Sequence, residues 1–399
     1  MRDQGMKEGW EYKKLGEVCD FEGGSQPPKS EWINHPQDGY VRMLQIRDFT
    51  KSRNAEIEYV KITKKLRLCK ADDILIGRYG ASVGKILTGL SGAYNVAIIK
   101  SIPNEGLIRK DFIRRYFESP LFQSILFKVC TSRAAQAGFS KDDIKDELIP
   151  IPPLPEQQSI VDYLDSAFAK IDAMKANAEK ALNEAKALFQ ASLKEMLEPK
   201  EGWEEKTLKS LTSKIGSGAT PKGGRKVYID KGCYLIRSMN IQYNEFKYDD
   251  LAHITDEAAE QLKGVEIQEN DVLFNITGAS IARCCVVPAD ALPARVNQHV
   301  SILRLKQEVL PRFLSFIMNS PNHQRELLKI GEAGSTRQAL TKTDLENHVI
   351  CYPSLDNQNK LLYTLDSLKS KVDKLQENFD KISQECDALK QAILRQVFE

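Results

Sequence analysis

The sequence has few of the features that mark membrane, disulfide-rich or metal-binding proteins. Its longest apolar runs, such as SILF and VAII, are far too short to cross a bilayer, and the N-terminal stretch MRDQGMKEGWEY lacks the apolar region of a signal peptide. We therefore expect a cytoplasmic protein. The eight cysteines form no Cys-x-x-Cys pair and no Cys/His cluster with zinc-ligand spacing, so we expect buried thiols and no metal site.

Motifs of catalysis are also scarce. The sequence has no Asn-Pro-Pro-aromatic or Asp-Pro-Pro-aromatic loop of the kind that amino-methyltransferases use, and no His-Glu-x-x-His. Paired acids such as Asp72-Asp73 and Asp142-Asp143 are expected to be turn and helix-cap residues. The net charge of +2 neither suggests nor excludes a nucleic-acid partner.

What the sequence does contain is a long internal repeat. EGWEYKKLGEV, which begins at residue 8, returns as EGWEEKTLKSL at residue 201, and LIPIPPLPEQQSIVDYLD returns as HVICYPSLDNQNKLLYTLD. Between these ends, VRMLQI pairs with IRSMNI, which places Arg42 opposite Arg237. DDILIGRYGASVGK pairs with NDVLFNITGASIAR. The offset rises slowly from 193 to 201 residues, as small loop insertions would make it, so the chain is two copies of one unit of roughly 200 residues.

The glycine-rich stretch RYGASVGKI resembles a phosphate-binding loop only superficially. A Walker-type loop needs a glycine five residues before the Gly-Lys pair and a hydroxyl after it, but Tyr79 and Ile86 occupy these positions. The second copy has Ala282 and Arg283 in place of Gly84 and Lys85. Both copies keep Gly-Ala-Ser followed by a cation, which predicts a tight turn after a strand that presents a basic side chain; a plain turn with a solvated cation is the alternative.

Each copy ends in a pattern typical of a long amphipathic helix. Apolar residues recur at alternating spacings of four and three, without an internal Gly or Pro, and prolines precede the first helix. In order, they are Ile160, Leu164, Ala167, Ile171, Met174, Ala178, Ala181, Ala185 and Leu188, then Leu361, Leu365, Leu368, Val372, Leu375, Phe379, Ile382, Cys386, Leu389 and Ile393. Such a helix needs a partner. A dimerisation coil is possible, but two copies in one chain favour an intramolecular antiparallel pair.

The remaining parts of the two copies read as mixed α/β units. Short strands are predicted at YVRMLQI, DDILI, NVAIIKS, CYLIRS, DVLFNI and HVSILRL, and helices at RKDFIRRYFESPLFQSILFKV and LPRFLSFIMNSPNHQRELLKI. The two helical segments together carry a charge of −4, so the rest of the chain carries +6. The positive excess therefore lies on the globular units, where a polyanion would bind.

Side chains suited to DNA recognition recur at similar places in both units. Arg, Asn and Gln can form bidentate contacts with guanine or adenine edges, and loops rich in Gly, Ser, Lys and Arg can donate to phosphates. For any single residue a solvated polar face is the simpler interpretation, but the recurrence favours the group. The candidate DNA-binding residues are Lys29, Arg42, Gln45, Arg47, Arg78, Ser82, Lys85, Arg133, Gln136, Lys222, Arg237, Asn240, Gln242, Ser280, Arg283, Arg337 and Gln338.

With these features the chain resembles the specificity subunits of type I restriction-modification systems. The resemblance rests on the two EGWE openings, the turns ending PPK and TPK, the GAS turns, and PPLPEQQSIVDYLD with its echo YPSLDNQNKLLYTLD. It covers essentially the whole chain. It implies an α/β fold with two similar target-recognition domains, residues 1–154 and 199–354, joined by two long antiparallel spacer helices, residues 155–198 and 355–399, in a pseudo-twofold repeat.

The resemblance also implies a function. Each domain would read one half of a split DNA target. The coil would set the distance between the halves and dock two methyltransferase subunits through residues such as Ile160, Leu164, Ile171, Leu361, Leu365 and Val372. Restriction or translocase subunits would join the full complex. S-adenosylmethionine, ATP and magnesium would belong to those partners, and this chain would bind no cofactor or metal and catalyse nothing.

Two other classes of function remain to be weighed. A fused methyltransferase or nuclease is disfavoured by the missing catalytic loop. A structural coiled-coil scaffold that binds DNA without methyltransferase partners is disfavoured by the basic excess and the repeated Arg/Gln loops. Which bases are read does not follow from the sequence, because side-chain identity without backbone placement does not define a code.

Overall fold

The structure is a computed structural model that describes residues 9–50, 56–131, 138–332 and 338–399, without the Arg225 side chain. The chain forms two compact units. Unit 1 comprises Met1–Glu179 and Phe379–Glu399, and unit 2 comprises Lys180–Asn378. Each unit thus contains one globular part and a segment of each long helix. None of the helices in the described ranges is both long enough and apolar enough to span a membrane.

The described part of unit 1 contains ten strands, five short helices and the beginning of the first long helix. In chain order these are β1 (Glu11–Lys14), α1 (Leu15–Val18), β2 (Cys19–Gly23), β3 (Tyr40–Leu44), α2 (Ile46–Thr50), β4 (Tyr59–Lys61), β5 (Leu68–Cys69), β6 (Leu75–Gly77), β7 (Ile86–Leu87), β8 (Gly92–Tyr94), β9 (Ile98–Pro103), α3 (Lys110–Glu118), α4 (Pro120–Thr131), α5 (Lys141–Ile144), β10 (Leu148–Ile151) and α6 (Leu154–Leu197). The strands form an antiparallel pair, β1-β10, and two four-stranded sheets with orders β2-β9-β6-β7 and β4-β3-β8-β5.

Unit 2 repeats this succession of elements. Its elements are β11 (Glu204–Thr207), α7 (Leu208–Leu211), β12 (Thr212–Ser217), β13 (Tyr228–Ile229), β14 (Cys233–Ile236), β15 (Ala252–Ile254), α8 (Asp256–Gln261), β16 (Val272–Asn275), β17 (Cys284–Val286), β18 (Ala294–Val296), β19 (Val300–Leu305), α9 (Pro311–Met318), α10 (Pro321–Glu332), α11 (Lys342–Asn347), β20 (Val349–Tyr352) and α12 (Leu355–Phe398). The sheets are β11-β20, β12-β19-β16-β17 and β13-β15-β14-β18.

The two units share one topology. The pair β1-β10 corresponds to β11-β20, and the antiparallel sheet β2-β9-β6-β7 corresponds to β12-β19-β16-β17. In the mixed sheets, the parallel pair β3-β8 corresponds to β14-β18. At the sheet edges, a strand pair in one unit corresponds to an isolated bridge in the other. The bridge between Ile33 and Tyr59 in unit 1 corresponds to β13-β15, and the bridge between Glu266 and Arg295 in unit 2 corresponds to β5-β8. The predicted repeat is therefore confirmed at the level of strand pairing.

The two apolar segments predicted as single helices are each broken in the middle. The first is α3 and α4, separated at Ser119-Pro120, and the second is α9 and α10, separated at Ser320-Pro321. Proline cannot donate to the preceding turn, and the residue before it avoids the helical region. The break lets both halves turn apolar faces inward; Phe112, Tyr116 and Phe122 all belong to the unit 1 core.

The long helices α6 and α12 are each 44 residues and unbroken. Their buried stripe differs from the predicted seam at every second position. Met174 and Leu188 are 59% and 64% exposed, while Phe168 and Leu182 are buried. At residues 167–168, 181–182 and 188–189 the predicted stripe chose the less buried of two adjacent apolar residues, and Met174 is exposed beside Lys175, although the heptad period is right.

In each unit, segments of the two long helices pack against each other in antiparallel directions. In unit 1, Lys390 forms an ion pair with Asp172 at 2.5 Å and Lys175 one with Asp387 at 3.4 Å, so rising numbers on α6 meet falling numbers on α12. In unit 2, the Nζ of Lys186 donates to Gln376 at 2.7 Å. The sequence prediction of an antiparallel pair agrees with these contacts.

Two glutamines fasten the long helices to the globular parts. Gln157 is fully buried; its Oε1 accepts from the amide of Arg109 at 2.8 Å, and its Nε2 donates to the carbonyl of Pro152 at 2.8 Å. In unit 2, Gln358 accepts from Leu310 and donates to Pro353 at the same distances. This equivalent pair confirms the predicted 201-residue offset at the start of the helices.

The paired acids behave as expected from the sequence. The carboxylate of Asp143 accepts from both the amide and the hydroxyl of Ser140 at 2.7 Å, which caps the start of α5. Asp73 accepts from the amide of Lys70 at 2.9 Å in the turn before β6. These carboxylates therefore stabilise local backbone.

Candidate nucleic-acid interface

The strand β3 and its counterpart β14 each lead into a short turn that carries candidate recognition residues. The amide of Gln45 donates to the carboxylate of Asp48 at 2.7 Å, and the amide of Arg237 donates to the side chain of Asn240 at 3.0 Å. Gln45 is thus the counterpart of Arg237. The sequence pairing of Arg42 with Arg237 is wrong by three residues, because similar letters in VRMLQI and IRSMNI concealed the change of register.

In unit 1, three of the candidate residues converge on one carboxylate. Glu58, which precedes β4, accepts from Arg47 Nη2 at 2.5 Å and from Gln45 Nε2 at 3.0 Å, and it forms an ion pair with Lys29. Lys29 also lies over the ring of Trp32 at 4.0 Å. Partial burial raises the pKa of Glu58, but the bond and charge of Lys29 and the charge of Arg47 outweigh this effect and lower it. Glu58 therefore holds these donors in fixed positions.

Arg42 has a more buried role than the sequence indicated. Its Nη2 donates to the carboxylate of Asp48 at 2.7 Å, and Asp48 is almost completely buried. The Nε of Arg42 is buried without a hydrogen-bond partner, and only about a quarter of the side chain (25%) is exposed. Arg42 therefore stabilises the turn that presents Gln45 and Arg47.

In unit 2, Asn240 stabilises the corresponding turn. Asn240 is fully buried, and its Nδ2 donates to the carbonyls of Lys247 and Asp249, both at 3.0 Å. With its oxygen also occupied by the amide of Arg237, Asn240 has no group left to offer a base. Arg237 itself is partly exposed, and its Nη2 donates to the carbonyl of Asp250.

The Gly-Ala-Ser segments form the tight turns predicted from the sequence. Gly80–Ser82 lies between β6 and β7, and Gly278–Ser280 lies between β16 and β17. Gly84 and Ala282 both have positive φ, +77° and +68°, which is unusual for alanine. Residues 80–84 also have Gly-x-Ser-x-Gly spacing, but a hydrolase nucleophile turn joins a strand to a helix, whereas this turn joins two strands.

The cations of these turns are presented differently in the two units. In unit 1, Lys85 is exposed, while Arg78 donates to the carbonyl of Phe139 at 3.1 Å and stacks on Tyr79. In unit 2, Arg283 is half-buried; its Nη1 donates to Gln242 at 2.7 Å and its guanidinium lies 5.2 Å from the centre of the Tyr243 ring. Unit 2 therefore holds its cation in one orientation, whereas that of unit 1 is less constrained.

The unit 2 turns enclose an open groove of about 520 Å³. Its lining includes Met239, Gln242, Ser280, Arg283, Thr277 and His299. Thr277 and His299 were missed by the sequence analysis; their Oγ1 and Nδ1 atoms lie 2.6 Å apart. An alignment of YNVA with VNQH places His299 opposite Ala97, directly before β19. Because unit 1 has no histidine at this position, the sequence offered no reason to select His299 as a site residue. The groove is lined by donors and acceptors from three separate segments, residues 238–242, residues 277–283 and His299.

Other candidate residues lie apart from these turns or outside the described ranges. Lys222 and Gln338 are exposed, and Ser82 is half-buried within its turn. Arg133, Gln136 and Arg337 lie outside the described residues. Of the proposed coil residues, Leu164, Ile171 and Leu365 are buried, whereas Ile160, Leu361 and Val372 are half-buried.

Comparison with known proteins identifies the family of this chain. The family model for the type I restriction modification DNA specificity domain matches the chain twice, over residues 7–184 and 200–383. Both compact units are therefore copies of a DNA specificity domain. The chain belongs to the type I restriction-modification specificity family and is a DNA specificity subunit.

Individual relatives agree with this assignment. The specificity subunit of the type I restriction enzyme EcoBI of Escherichia coli is 26% identical, covering 93% of this chain and 81% of the relative. The EcoKI specificity subunit of Escherichia coli K12 is 21% identical, covering 98% and 89%. A chain solved in work on complex assembly and conformational transition of the type I R-M system superposes with a TM-score of 0.75 at 18% identity, covering 99% of both chains. The HsdS subunit of Thermoanaerobacter tengcongensis gives 0.56 at 17% identity, covering 100% and 98%.

Proposed function

We propose that each unit reads one half of a split DNA target through the turns that follow β3 and β6 in unit 1, and β14 and β16 in unit 2. The observation that carries this proposal is the equivalence of those turns. Equivalent hydrogen bonds to backbone amides build them in both units, yet the candidate side chains that they present differ. These are Gln45, Arg47 and Lys85 in unit 1, and Arg237, Gln242 and Arg283 in unit 2. Equal backbones with unequal donors suit two readers of two different sequences.

The donors divide into two chemical groups. Gln45 and Arg47, and in unit 2 Gln242 and Arg283, are held by side-chain bonds, so they lose little conformational freedom when they contact a base edge. Lys85 and Lys222 are exposed, and they are suited to neutralise phosphates. We assign base reading to the first group and phosphate binding to the second.

The long helices provide the second half of the proposed function. Each unit leaves an apolar residue of both helices exposed: Met174 and Leu389 in unit 1, and Leu188 and Leu375 in unit 2. Such residues on otherwise polar helices suit the docking of protein partners. We assign these faces to the modification subunits of the complex, two being the expected number, with restriction subunits joining the larger assembly.

The chain acts in this proposal as a reader without chemistry of its own. S-adenosylmethionine, ATP and magnesium are assigned to the partner subunits. The groove of unit 2 contains hydrogen-bonding groups for recognition, and the family to which the chain belongs is defined by DNA specificity. Transfer of a methyl group to adenine is therefore assigned to the modification subunits.

The test is a methylation assay of the chain reconstituted with its modification subunits, on a DNA library with both half-sites randomised. Arg47→Ala should relax base preference in one half-site only, and Arg283→Ala in the other, each by about 1 to 3 kcal/mol if the contact is bidentate. Arg67→Ala is the matched control, because Arg67 is an exposed arginine that pairs with Glu22 at 2.9 Å outside the proposed interface.

Two results would contradict the proposal. If either interface variant relaxes both half-sites, the units do not read separately. If affinity falls equally on all sequences, these arginines are phosphate contacts and the assignment of base reading is wrong.

A further inference from the structure

Unit 2 contains a cluster of two histidines and a glutamate that has no counterpart in unit 1. His323 and Glu326 lie one turn apart near the start of α10, and His348 lies between α11 and β20. Each side chain offers one ligand atom, and these atoms all lie within 4.8 Å of one another. We propose that these three residues bind a divalent transition metal of the zinc class.

The first argument is an unsatisfied group. The ring of His348 is completely buried, and its Nε2 lies 2.8 Å from the Nδ1 of His323. Its Nδ1 has no hydrogen-bond partner and lies 3.9 Å from the Glu326 carboxylate. A buried polar nitrogen without a partner costs about 1 to 3 kcal/mol. A metal ion bound at this Nδ1, on the side that faces the Glu326 carboxylate, would use the capacity that the protein leaves unfilled.

The second argument is the repeat. Leu15 donates to the carbonyl of Glu147 at 2.8 Å, and Leu208 donates to that of His348 at 2.9 Å, so His348 occupies the place of Glu147. By the same 201-residue offset, His323 occupies the place of Phe122, a fully buried member of the unit 1 core. Unit 2 has therefore replaced an apolar core residue with an imidazole and placed a second imidazole beside it.

The donor set selects the kind of metal. Two imidazoles and one carboxylate are the ligands of many zinc sites, whereas magnesium and calcium prefer oxygen donors alone.

The geometry needs only small movements. In a tetrahedral site with Zn–N distances of about 2.0 to 2.1 Å, ligand atoms lie roughly 3.4 Å apart. One ligand atom from each of the three residues already lies within 4.8 Å of the other two, so side-chain rotations can close the cluster to this spacing. The Glu326 carboxylate is exposed and free to approach, and a cavity of about 110 Å³ reaches His323 between Leu197, Pro199 and Ser320. That volume can admit a water molecule as a fourth ligand.

Sequence spacing could not reveal this cluster. His348 lies 25 residues from His323, and cysteines, which mark most structural zinc motifs, contribute nothing to it. The expectation of no metal site followed from spacing alone. The fold brings His348 next to His323 and Glu326, which are neighbours on α10.

The test is isothermal titration of Zn²⁺ into the full, tag-free chain after removal of metals by a chelator, repeated with Co²⁺ to record its visible spectrum. We expect one Zn²⁺ per chain and a Co²⁺ spectrum typical of four-coordination. Glu326→Gln, an exposed change that preserves the fold, should weaken binding by roughly tenfold or more, by analogy with the loss of supporting ligands.

Two further variants decide between this cluster and any other. His323→Phe installs the residue found in unit 1, so it should fold and abolish the site, with a melting temperature that no longer rises when Zn²⁺ is added. His253→Ala removes a histidine that stacks on Tyr234 elsewhere in unit 2, and it should bind Zn²⁺ like the unaltered chain. Absence of stoichiometric Zn²⁺ binding, or equal affinity in His323→Phe, would overturn the proposal.

Discussion

Replacement of Glu58 by glutamine tests how unit 1 prepares its recognition side chains. In the structure, the Glu58 carboxylate receives Arg47 at 2.5 Å and Gln45 at 3.0 Å, and it pairs with Lys29. Glutamine has the same size but one acceptor oxygen and no charge. The substitution should therefore release Arg47 and Lys29 while the backbone remains in place.

The substitution should strengthen binding to unrelated DNA but weaken discrimination, with only a small loss of stability. Both cations are substantially exposed, so loss of their ion pairs should lower the free energy of unfolding by only about 1 kcal/mol. Removing one negative charge near the DNA should strengthen binding to unrelated sequences, because a unit charge at about 4 Å from a phosphate contributes about 1 kcal/mol in water. Releasing Arg47 should weaken discrimination at the first half-site, by roughly tenfold if half of a bidentate contact is lost.

The assay is fluorescence anisotropy of the reconstituted complex on cognate DNA, on DNA altered in one half-site, and on unrelated DNA, over a range of salt concentrations. Glu22→Gln is the matched control, since Glu22 also pairs with two cations, Arg67 at 2.9 Å and Lys100 at 3.3 Å. The control should leave discrimination unchanged. The reasoning fails if Glu58→Gln preserves discrimination at the first half-site, or if it reduces discrimination at both.

Three further predictions concern the second reader, the helix junction and the spacer. Arg283→Lys should reduce discrimination at the second half-site in a library methylation assay, because lysine keeps the charge but cannot reproduce the planar contact with Gln242; unchanged preference would make this residue a phosphate contact. Gln157→Ala should destabilise the chain by about 2 to 4 kcal/mol in urea unfolding, since it leaves buried backbone groups without partners, and a loss below about 1 kcal/mol would contradict this account. Four residues inserted between Glu184 and Ala185 add about 6 Å of helix, and the spacer between half-sites in the host methylome should grow by roughly one to two base pairs; an unchanged spacer in an active complex would show that the helices do not set it.

Much of the architecture could be predicted from the sequence because the repeat supplied two independent readings of each element. The six predicted strands all occur, as β3, β6, β9, β14, β16 and β19, although YVRMLQI ends as a strand at Leu44 and continues as the helix α2. A strand preference at Ile46 was overridden by the carboxylate of Asp48, which accepts from the amide of Gln45 and closes a turn there. Local side-chain bonds of this kind compete with strand pairing and carry no periodic signal.

The details of the helix seam could not be read from periodicity. At residues 167–168 and 188–189 two apolar residues stand side by side, and a pattern of threes and fours accepts either member. The structure buries Phe168 and Phe189 more deeply than their neighbours Ala167 and Leu188. Tertiary contacts decide between them: the Phe168 ring, for example, lies beside the cations of Arg115 on α3 and Lys390 on α12.

The candidate interface was predictable as a set of turns but not as a set of contacts. Lys85, Arg47 and Gln45 are presented much as their positions suggested. The side chain of Asn240 instead forms hydrogen bonds within its own turn. His299 lines the groove from a segment in which the sequence analysis identified no site residue. Side-chain chemistry in a sequence shows what a residue could contact, whereas burial determines whether that chemistry remains available.

The contacts shared by the two units end on backbone carbonyls, and this arrangement explains how one backbone can carry two different readers. Gln123 donates to the carbonyls of Gly84 and Phe117, and Gln324 donates in the same way to those of Ala282 and Met318. These bonds fix the turns through backbone oxygens, whose positions do not depend on the side chains of the groove. Residues such as Lys85 and Arg283 can therefore differ without loss of the turn that presents them, so a change of DNA specificity requires no change of fold.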